Sequence, residues 1–584
     1  MRTGDLWLNR KADLRAIVVS STIQPDHRGG SMTTIGFPGA ERAEQNWSRR
    51  VESPRYSTGG MVATAHPLAT AAGLDVLERG GNAVDAAIAA AAVAAVTMPE
   101  MCGLGGDIFA IVSKPGHAPV SYLGSGISPR SATVEMMRAA GAENGTKMPY
   151  QGPLSIGVPG MVDGYYRMLA DFGTRGFAEL AQHAIHHASN GYPLTRDGAS
   201  YINTNADLLK QFPGSKSVFF PEDKTWREGE VFTQADLGRT LQEIAAGGPD
   251  VFYRGDLARR IAQGIQEVGG QIAEGDLADH ETVVTPPIST TYRDYTVYQT
   301  GIPSQGLIHL IEHNIVEAYG ELAQGADGVH TLVEAKKLAY ADRLAYAVDP
   351  KFGDTPMHTL LSKEWAAKRA AWINPDRAST EALPGDLNDG DTTYLCVVDR
   401  DGMMVSLIQS VSSSFGSCVV AGDTGVVMNN RVGRGFSLVE GHVNFFAPGK
   451  RTMHTLNCFM IGAPDGTMIV TGGTPGGDGQ PQWNLQMITG MIDFGFDVQA
   501  AIEAPRWTSW PGTDPGSLPN PFDLRIESRV RETELFQLEE KGHRVIRQGD
   551  WDGGGAAQII ARDPKTGVLA GGSDPRAEGY AAGL

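Results

Sequence analysis

The chain changes its pattern at residue 392, and that break limits the folds open to it. Between residues 155 and about 370, apolar residues recur mostly at helical spacing, as in 160–172, 177–190, 234–246, 256–268 and 330–348. Beyond 392 the character is that of a sheet. The runs 394–399 and 403–411 are β-rich and joined by Asp399-Arg400-Asp401-Gly402, a hairpin signal. Further strands are predicted at 425–429, 467–471, 557–561 and 568–571, with helices over 481–504 and from 536. Between the halves, 371–391 loses periodicity and gathers Asp, Glu, Gly, Pro and Ser, the composition of an exposed linker. Helices, a linker and then strands predict a layered α/β fold.

The first part adds a strand at 61–64 and a helix at 67–79 stopped by Gly80-Gly81. Asn82 can cap a second helix, so rich in alanine that it must be buried on every face. The glycine-rich loop 102–107 leads to a strand at 108–113. Residues 1–57 are polar and charged and read as a disordered extension, with Met32 as a second candidate start.

A net charge of −18 over 584 residues disfavours nucleic acid and anionic membranes as partners. Cys102, Cys396, Cys418 and Cys458 form no CxxC pair, which suits a reducing, cytoplasmic setting. No run reaches the roughly 20 apolar residues of a membrane span.

The linker ends in Asn388-Asp389-Gly390-Asp391-Thr392-Thr393. A cut between Asp391 and Thr392 would give that threonine a free α-amine, with a pKa of roughly 7.7–8.0, beside its own hydroxyl. Nucleophile and base would then lie in one residue. Three segments could complete a site. The turn from Gly473 to Gln480 places Gly476 and Gly477 just before a helix, where their N–H groups can hold an oxyanion. Ser410 closes the second hairpin strand and can meet the Thr392 hydroxyl if the strands pair. Asn429-Asn430-Arg431 ends a predicted strand. His183 and His187 share a helix face as zinc ligands do, but lack the Glu of an HExxH motif, so no metal and no cofactor are expected.

Together these segments resemble the γ-glutamyltransferase family of N-terminal-nucleophile (Ntn) hydrolases. The resemblance runs from about residue 59 to the C-terminus. It rests on Gly80 to Ala87, Gly103 to Asp107, Asp391-Thr392-Thr393, Phe415-Gly416-Ser417, Asn429-Asn430, Pro475-Gly476-Gly477 and Ser573-Asp574-Pro575-Arg576. It implies a four-layer αββα sandwich built from two fragments of one precursor, a large subunit 58–391 and a small subunit 392–584. Thr392 would be the nucleophile, oriented by Ser410, with Gly476 and Gly477 as the oxyanion hole.

The departures shape the substrate. Ser125 stands where the family has its carboxylate-binding arginine, Arg434 where it has an acidic residue for the substrate ammonium, and Arg431 where it has a glutamine. Ser412 replaces an asparagine, and His454-Thr455 replace paired serines. Arginine suits a carboxylate and repels a glutamyl ammonium. The variant motifs resemble an oxamate-amidohydrolase-like subgroup, with Cys458 departing from its usual proline. The expectation is an amidohydrolase for a small amide with a carboxylate next to the carbonyl. The alternatives are a C–C hydrolase releasing an oxalyl group, a true γ-glutamyltransferase, and an uncleaved binding protein.

Overall fold

A computed structural model describes residues 52–142, 145–380, 392–510 and 522–584. The predicted cleavage position is thus described only on its Thr392 side, and Asp391 lies outside.

Two seven-stranded antiparallel sheets form the centre. One runs Tyr580–Gly583, Gly60–Thr64, Thr393–Asp399, Met404–Ser410, Asp107–Ser113, Val120–Gly124, Val283–Thr285. The other runs Arg55–Ser57, Leu569–Ser573, Gln558–Arg562, Met468–Gly473, Phe459–Gly462, Tyr295–Gln299, Ile288–Tyr292. The hairpin strands Thr393–Asp399 and Met404–Ser410 are buried along their whole length, as expected for strands covered on both faces. Side chains alternate between the faces. Tyr394, Cys396, Val398, Met404 and Ile408 pack with Leu456, Cys458, Met460 and Ile560 between the sheets. Leu395, Val397, Val405 and Leu407 turn outward onto helices.

The helix Ala83–Thr97 covers that outer face. Asn82 accepts from the Val84 and Asp85 amides, and Asp85 accepts from the Asn82 amide at 3.0 Å, so the helix starts on a capping box. All fifteen of its residues are buried, as nine small alanines among them allow. The helices Gly306–Tyr319, Gly325–Tyr346 and Gly479–Ile492 cover the outer face of the second sheet. The order helix, sheet, sheet, helix is the predicted αββα sandwich.

Several expectations are corrected. Residues 55–57 do not belong to an unstructured extension: they pair with Leu569, Ala570 and Gly571 as an edge strand. Residues 283–299, within the stretch read as mostly helical, hold three strands. The helix predicted over 481–504 is two helices, Gly479–Ile492 and Val498–Glu503, separated at a turn where Gly495 has φ +62°. The strand predicted at 425–429 is reduced to isolated bridges, Val427 to Val420 and Met428 to Gly105.

Candidate active site

Thr392 sits immediately before the third strand of the first sheet and is 1% exposed. Thr393 pairs with Gln409, so the end of the neighbouring strand lies alongside. The Thr392 hydroxyl donates to Ser410 Oγ at 3.2 Å, as the hairpin reading required. Ser410 Oγ also accepts the Ser412 amide at 2.7 Å. On the far side of that strand Ser410 pairs with Asp107. By strand alternation Ser410 and Asp107 share the face that looks toward the second sheet. Gly106 makes this approach feasible, since a Cβ there would lie 2.3 Å from the Ser410 carbonyl oxygen.

The turn before Gly479–Ile492 is rigidly held. Gly476 has φ +121°, and a Cβ on it would sit 2.1 Å from the Trp483 ring, so only glycine fits. The peptide carrying the Gly476 N–H is fixed at its other end, where the Pro475 carbonyl accepts the Thr474 hydroxyl at 3.1 Å. The peptide carrying the Gly477 N–H is fixed by the Gly476 carbonyl, which accepts the Gly479 amide at 2.8 Å. Thr392 and Gly476 line one cavity of about 160 Å³, with His66, Glu100, Asp197, Arg576 and Glu578 on its polar wall; Gly477 is not among its lining residues. His66 Nδ1 accepts the Leu68 amide at 3.2 Å. Burial, aided by His187, lowers the His66 pKa to about 4, so its ring is neutral at pH 7. Arg576 is tied to Glu527 at 2.6 Å and to Asp574 at 3.0 Å.

The residues predicted to bind substrate fall into a buried group beside Ser410 rather than in the wall of that cavity. Arg431 Nε meets Asp107 Oδ2 at 3.1 Å, and Arg431 Nη1 donates to Thr455 Oγ1 at 3.3 Å. His454 Nε2 lies 3.0 Å from the same Asp107 oxygen. Its Nδ1 accepts the Leu456 amide at 3.3 Å, so the ring proton is on Nε2 and is donated to Asp107. Burial and then the Arg431 charge lower the His454 pKa to about 4. Burial alone would raise the Asp107 carboxyl, but His454 and Arg431 outweigh it and hold the carboxyl below its ordinary value. The sequence reading gave Arg431 and His454 to a substrate anion; in the fold both also face an anion of the protein itself. Arg434 Nη1 donates to the Ser412 carbonyl at 3.1 Å. Ser412 has φ +93°, and its buried hydroxyl has no hydrogen-bond partner among the described residues. Ser125 is 2% exposed and offers its carbonyl to Arg451 Nε at 2.9 Å.

Two further asparagines set the loop geometry. Asn430 Oδ1 accepts the Ser413 amide at 3.0 Å, and Asn429 Oδ1 accepts the amides of Gly157 and Arg431, both at 3.0 Å. His183 is paired with Asp75 at 3.0 Å rather than grouped with other ligands. Among the described residues, His330, Glu334 and His543 bring ligand atoms together. These already form a hydrogen-bond chain: His330 Nε2 donates to the Asn374 carbonyl at 2.8 Å, His543 Nε2 donates to His330 Nδ1 at 2.8 Å, and Glu334 holds Lys337 at 2.7 Å. No described helix is long and apolar enough to cross a membrane.

Sequence reasoning placed Asp107 at the end of a glycine-rich loop and did not anticipate it as the centre of the Arg431 and His454 contacts. Its signal was the run Gly105-Gly106-Asp107, where close backbone approach delivers a carboxylate to a strand start.

Two facing antiparallel sheets between helical layers, with a threonine at the base of a central strand, are the architecture of an Ntn-type hydrolase. The chain belongs to the gamma-glutamyltranspeptidase family, whose model matches residues 69–584. It is 38% identical to the glutathione hydrolase-like YwrD proenzyme of Bacillus subtilis (strain 168), over 90% of this chain and 99% of that one. It is 37% identical to the oxamate amidohydrolase proenzyme of Klebsiella pneumoniae, over 91% of this chain and all of the other. A cephalosporin acylase from Bacillus halodurans superposes with a TM-score of 0.85 at 36% identity, covering 93% of this chain and 99% of that one.

Proposed function

We propose that this protein is a self-processing amidohydrolase with Thr392 as its nucleophile. The observation that carries the reading is the Thr392 hydroxyl, 3.2 Å from Ser410 Oγ, opening onto the cavity it shares with Gly476. Cleavage after Asp391 yields a large fragment ending there and a small one, 392–584. In turnover the Thr392 oxygen attacks the substrate carbonyl carbon, and its proton passes to the new α-amine. The N–H groups of Gly476 and Gly477 hold the oxyanion. Collapse expels the leaving amine, which takes up that proton, and leaves an ester on Thr392. Water then attacks the ester and releases the acid.

The acyl group we propose is short, with a carboxylate next to the scissile carbonyl, as in oxamate. To the carboxylate end we assign Arg431, Arg434, His454, Thr455, Ser412 and Ser125, which would have to be reached from the cavity through the buried group beside Ser410. Ser125 and Arg434 stand where glutamyl recognition would need an arginine and an acid, and the relative named for oxamate supports the same choice. The setting we propose is the cytoplasm.

A denaturing gel with N-terminal sequencing tests the processing: two bands are expected, the smaller beginning at Thr392. A hydrolysis panel of oxamate, a γ-glutamyl anilide and an oxalyl-bearing ketone tests the substrate, with Thr392→Ala as the blank. Turnover of the anilide but not of oxamate would reject the acyl group proposed here.

A further inference from the structure

The turn that carries Gly476 and Gly477 is held from outside by a residue that precedes the proposed cut. Gln305 stands at the start of the helix Gly306–Tyr319 and is 1% exposed. Its two amide hydrogens have two acceptors: Nε2 donates to the Gly477 carbonyl at 2.8 Å and to the Thr455 carbonyl. Its Oε1 accepts Arg343 Nη1 at 2.9 Å. Arginine has only donors and the two carbonyls only accept, so the amide can be oriented in one way alone. Arg343 Nη1 also meets Asp478 Oδ1 at 2.7 Å, the residue immediately before the helix Gly479–Ile492. The Gln305 amide nitrogen of the main chain donates to the His454 carbonyl at 2.9 Å. One buried side chain thus joins the glycine turn to the loop bearing His454 and Thr455.

We propose that Gln305, held by Arg343, is a positioning residue for catalysis: it fixes the glycine turn and the 454–455 loop in mutual register across the cut. This rests on the oxyanion role given above to Gly476 and Gly477. Their N–H groups stabilise charge only if the peptide planes are already aimed when the oxyanion forms. Local bonds fix the planes of Pro475–Gly476 and Gly476–Gly477; the next, Gly477–Asp478, is held by Gln305 at 2.8 Å together with a longer bond from the Gln480 amide at 3.3 Å. Without it, the turn keeps its shape but can tilt relative to Thr455. A misplacement near 1 Å costs about 100-fold in rate.

The test is Gln305→Glu in the full-length, cleaved protein, with Gln305→Met as an uncharged donor-free companion and Gln305→Asn as the conservative variant. The probes are oxamate and a γ-glutamyl anilide, whichever the wild type hydrolyses. Gln305→Glu keeps the Arg343 contact but sets a carboxylate against two carbonyl oxygens. Its kcat is expected to fall about 10- to 100-fold with KM within about threefold. Its deficit relative to wild type should shrink as pH falls, because the protonated carboxyl regains a donor. Gln305→Met should lose as much with no such pH dependence, and Gln305→Asn should lose less. Folded variants with wild-type kcat, a loss confined to KM, or identical pH profiles for Gln305→Glu and Gln305→Met would each overturn the proposal. If the wild type shows no turnover that Thr392→Ala abolishes, it is the proposed function that fails.

Discussion

Arg431 holds the Asp107 carboxylate at 3.1 Å, and both side chains are almost wholly buried. The two come from parts of the chain more than 300 residues apart, on opposite sides of Thr392. Removing one partner of such a pair leaves the other charge buried without compensation, which costs about 3–5 kcal/mol. Asp107→Asn keeps the shape and removes the charge. We expect a stability loss approaching that range, read by denaturant unfolding, and a fall in kcat because His454 loses its anionic acceptor. Unchanged stability would mean that Arg431 finds its counter-charge elsewhere.

Ser412 combines a φ of +93° with a buried hydroxyl that has no hydrogen-bond partner among the described residues. A side chain in that backbone region costs about 1–2 kcal/mol relative to glycine. The contacts that matter to the fold are made by its main chain, to Ser410 Oγ and Arg434, and glycine retains them. Ser412→Gly should therefore be more stable by about 1 kcal/mol, seen as a raised Tm. It should also raise KM about tenfold, the worth of one hydrogen bond to substrate at about 1.4 kcal/mol. A raised Tm with unchanged KM would remove Ser412 from the substrate contacts.

Gly476→Ala sets a Cβ 2.1 Å from the Trp483 ring and forces a side chain into φ +121°. The turn must shift, and with it the N–H proposed to hold the oxyanion. A drop in kcat of about 100- to 1,000-fold is expected, the usual cost of one lost oxyanion donor. Steady-state kinetics on the cleaved variant measure it.

Acid should destabilise the fold well above the carboxylate range. Burial depresses His66, His280, His313 and His454 to about 4 and His543 to about 3. An unfolded histidine takes its proton near pH 6.5, while these five decline it until far lower. Stability is thus complete above about pH 6.5 and is lost as pH falls toward 4. For His454 alone the loss approaches about 3 kcal/mol, at roughly 1.4 kcal/mol per pH unit. Burial raises Glu312, Asp399 and Asp493, which act in the opposite sense. With five histidines opposed, Tm should decline steadily from pH 7 to pH 4.5 in differential scanning calorimetry. A flat profile over that interval would contradict the neutral buried histidines.

What the sequence revealed follows from how local each signal is. The capping of Ala83–Thr97 and the 393–410 hairpin lie within a few residues of their own cues, and both were legible. The hairpin at 288–299 was not, because its turn is Arg293-Asp294 with φ +47° and +70° and no glycine or asparagine to mark it. The break after Ile492 was missed because Phe494 and Phe496 continue the apolar pattern across the turn. At the site, Thr392, Ser410 and Gly476 were readable, since a strand register and a glycine turn place them. Asp107 as the partner of Arg431, and Gln305 as the partner of Gly477, were not. Those contacts join residues more than 150 positions apart, and no periodicity encodes them.

The strands before and after Thr392 share both sheets. In the first sheet Gly60–Thr64 lies between Tyr580–Gly583 and Thr393–Asp399, and in the second Arg55–Ser57 closes one edge while Tyr295–Gln299 and Ile288–Tyr292 close the other. Neither product of the proposed cut owns a complete sheet, so each needs the other's strands to close both. If the cut is made after folding, unfolding would be harder to reverse than in the intact chain, because two separate pieces would have to rebuild both seven-stranded sheets between them.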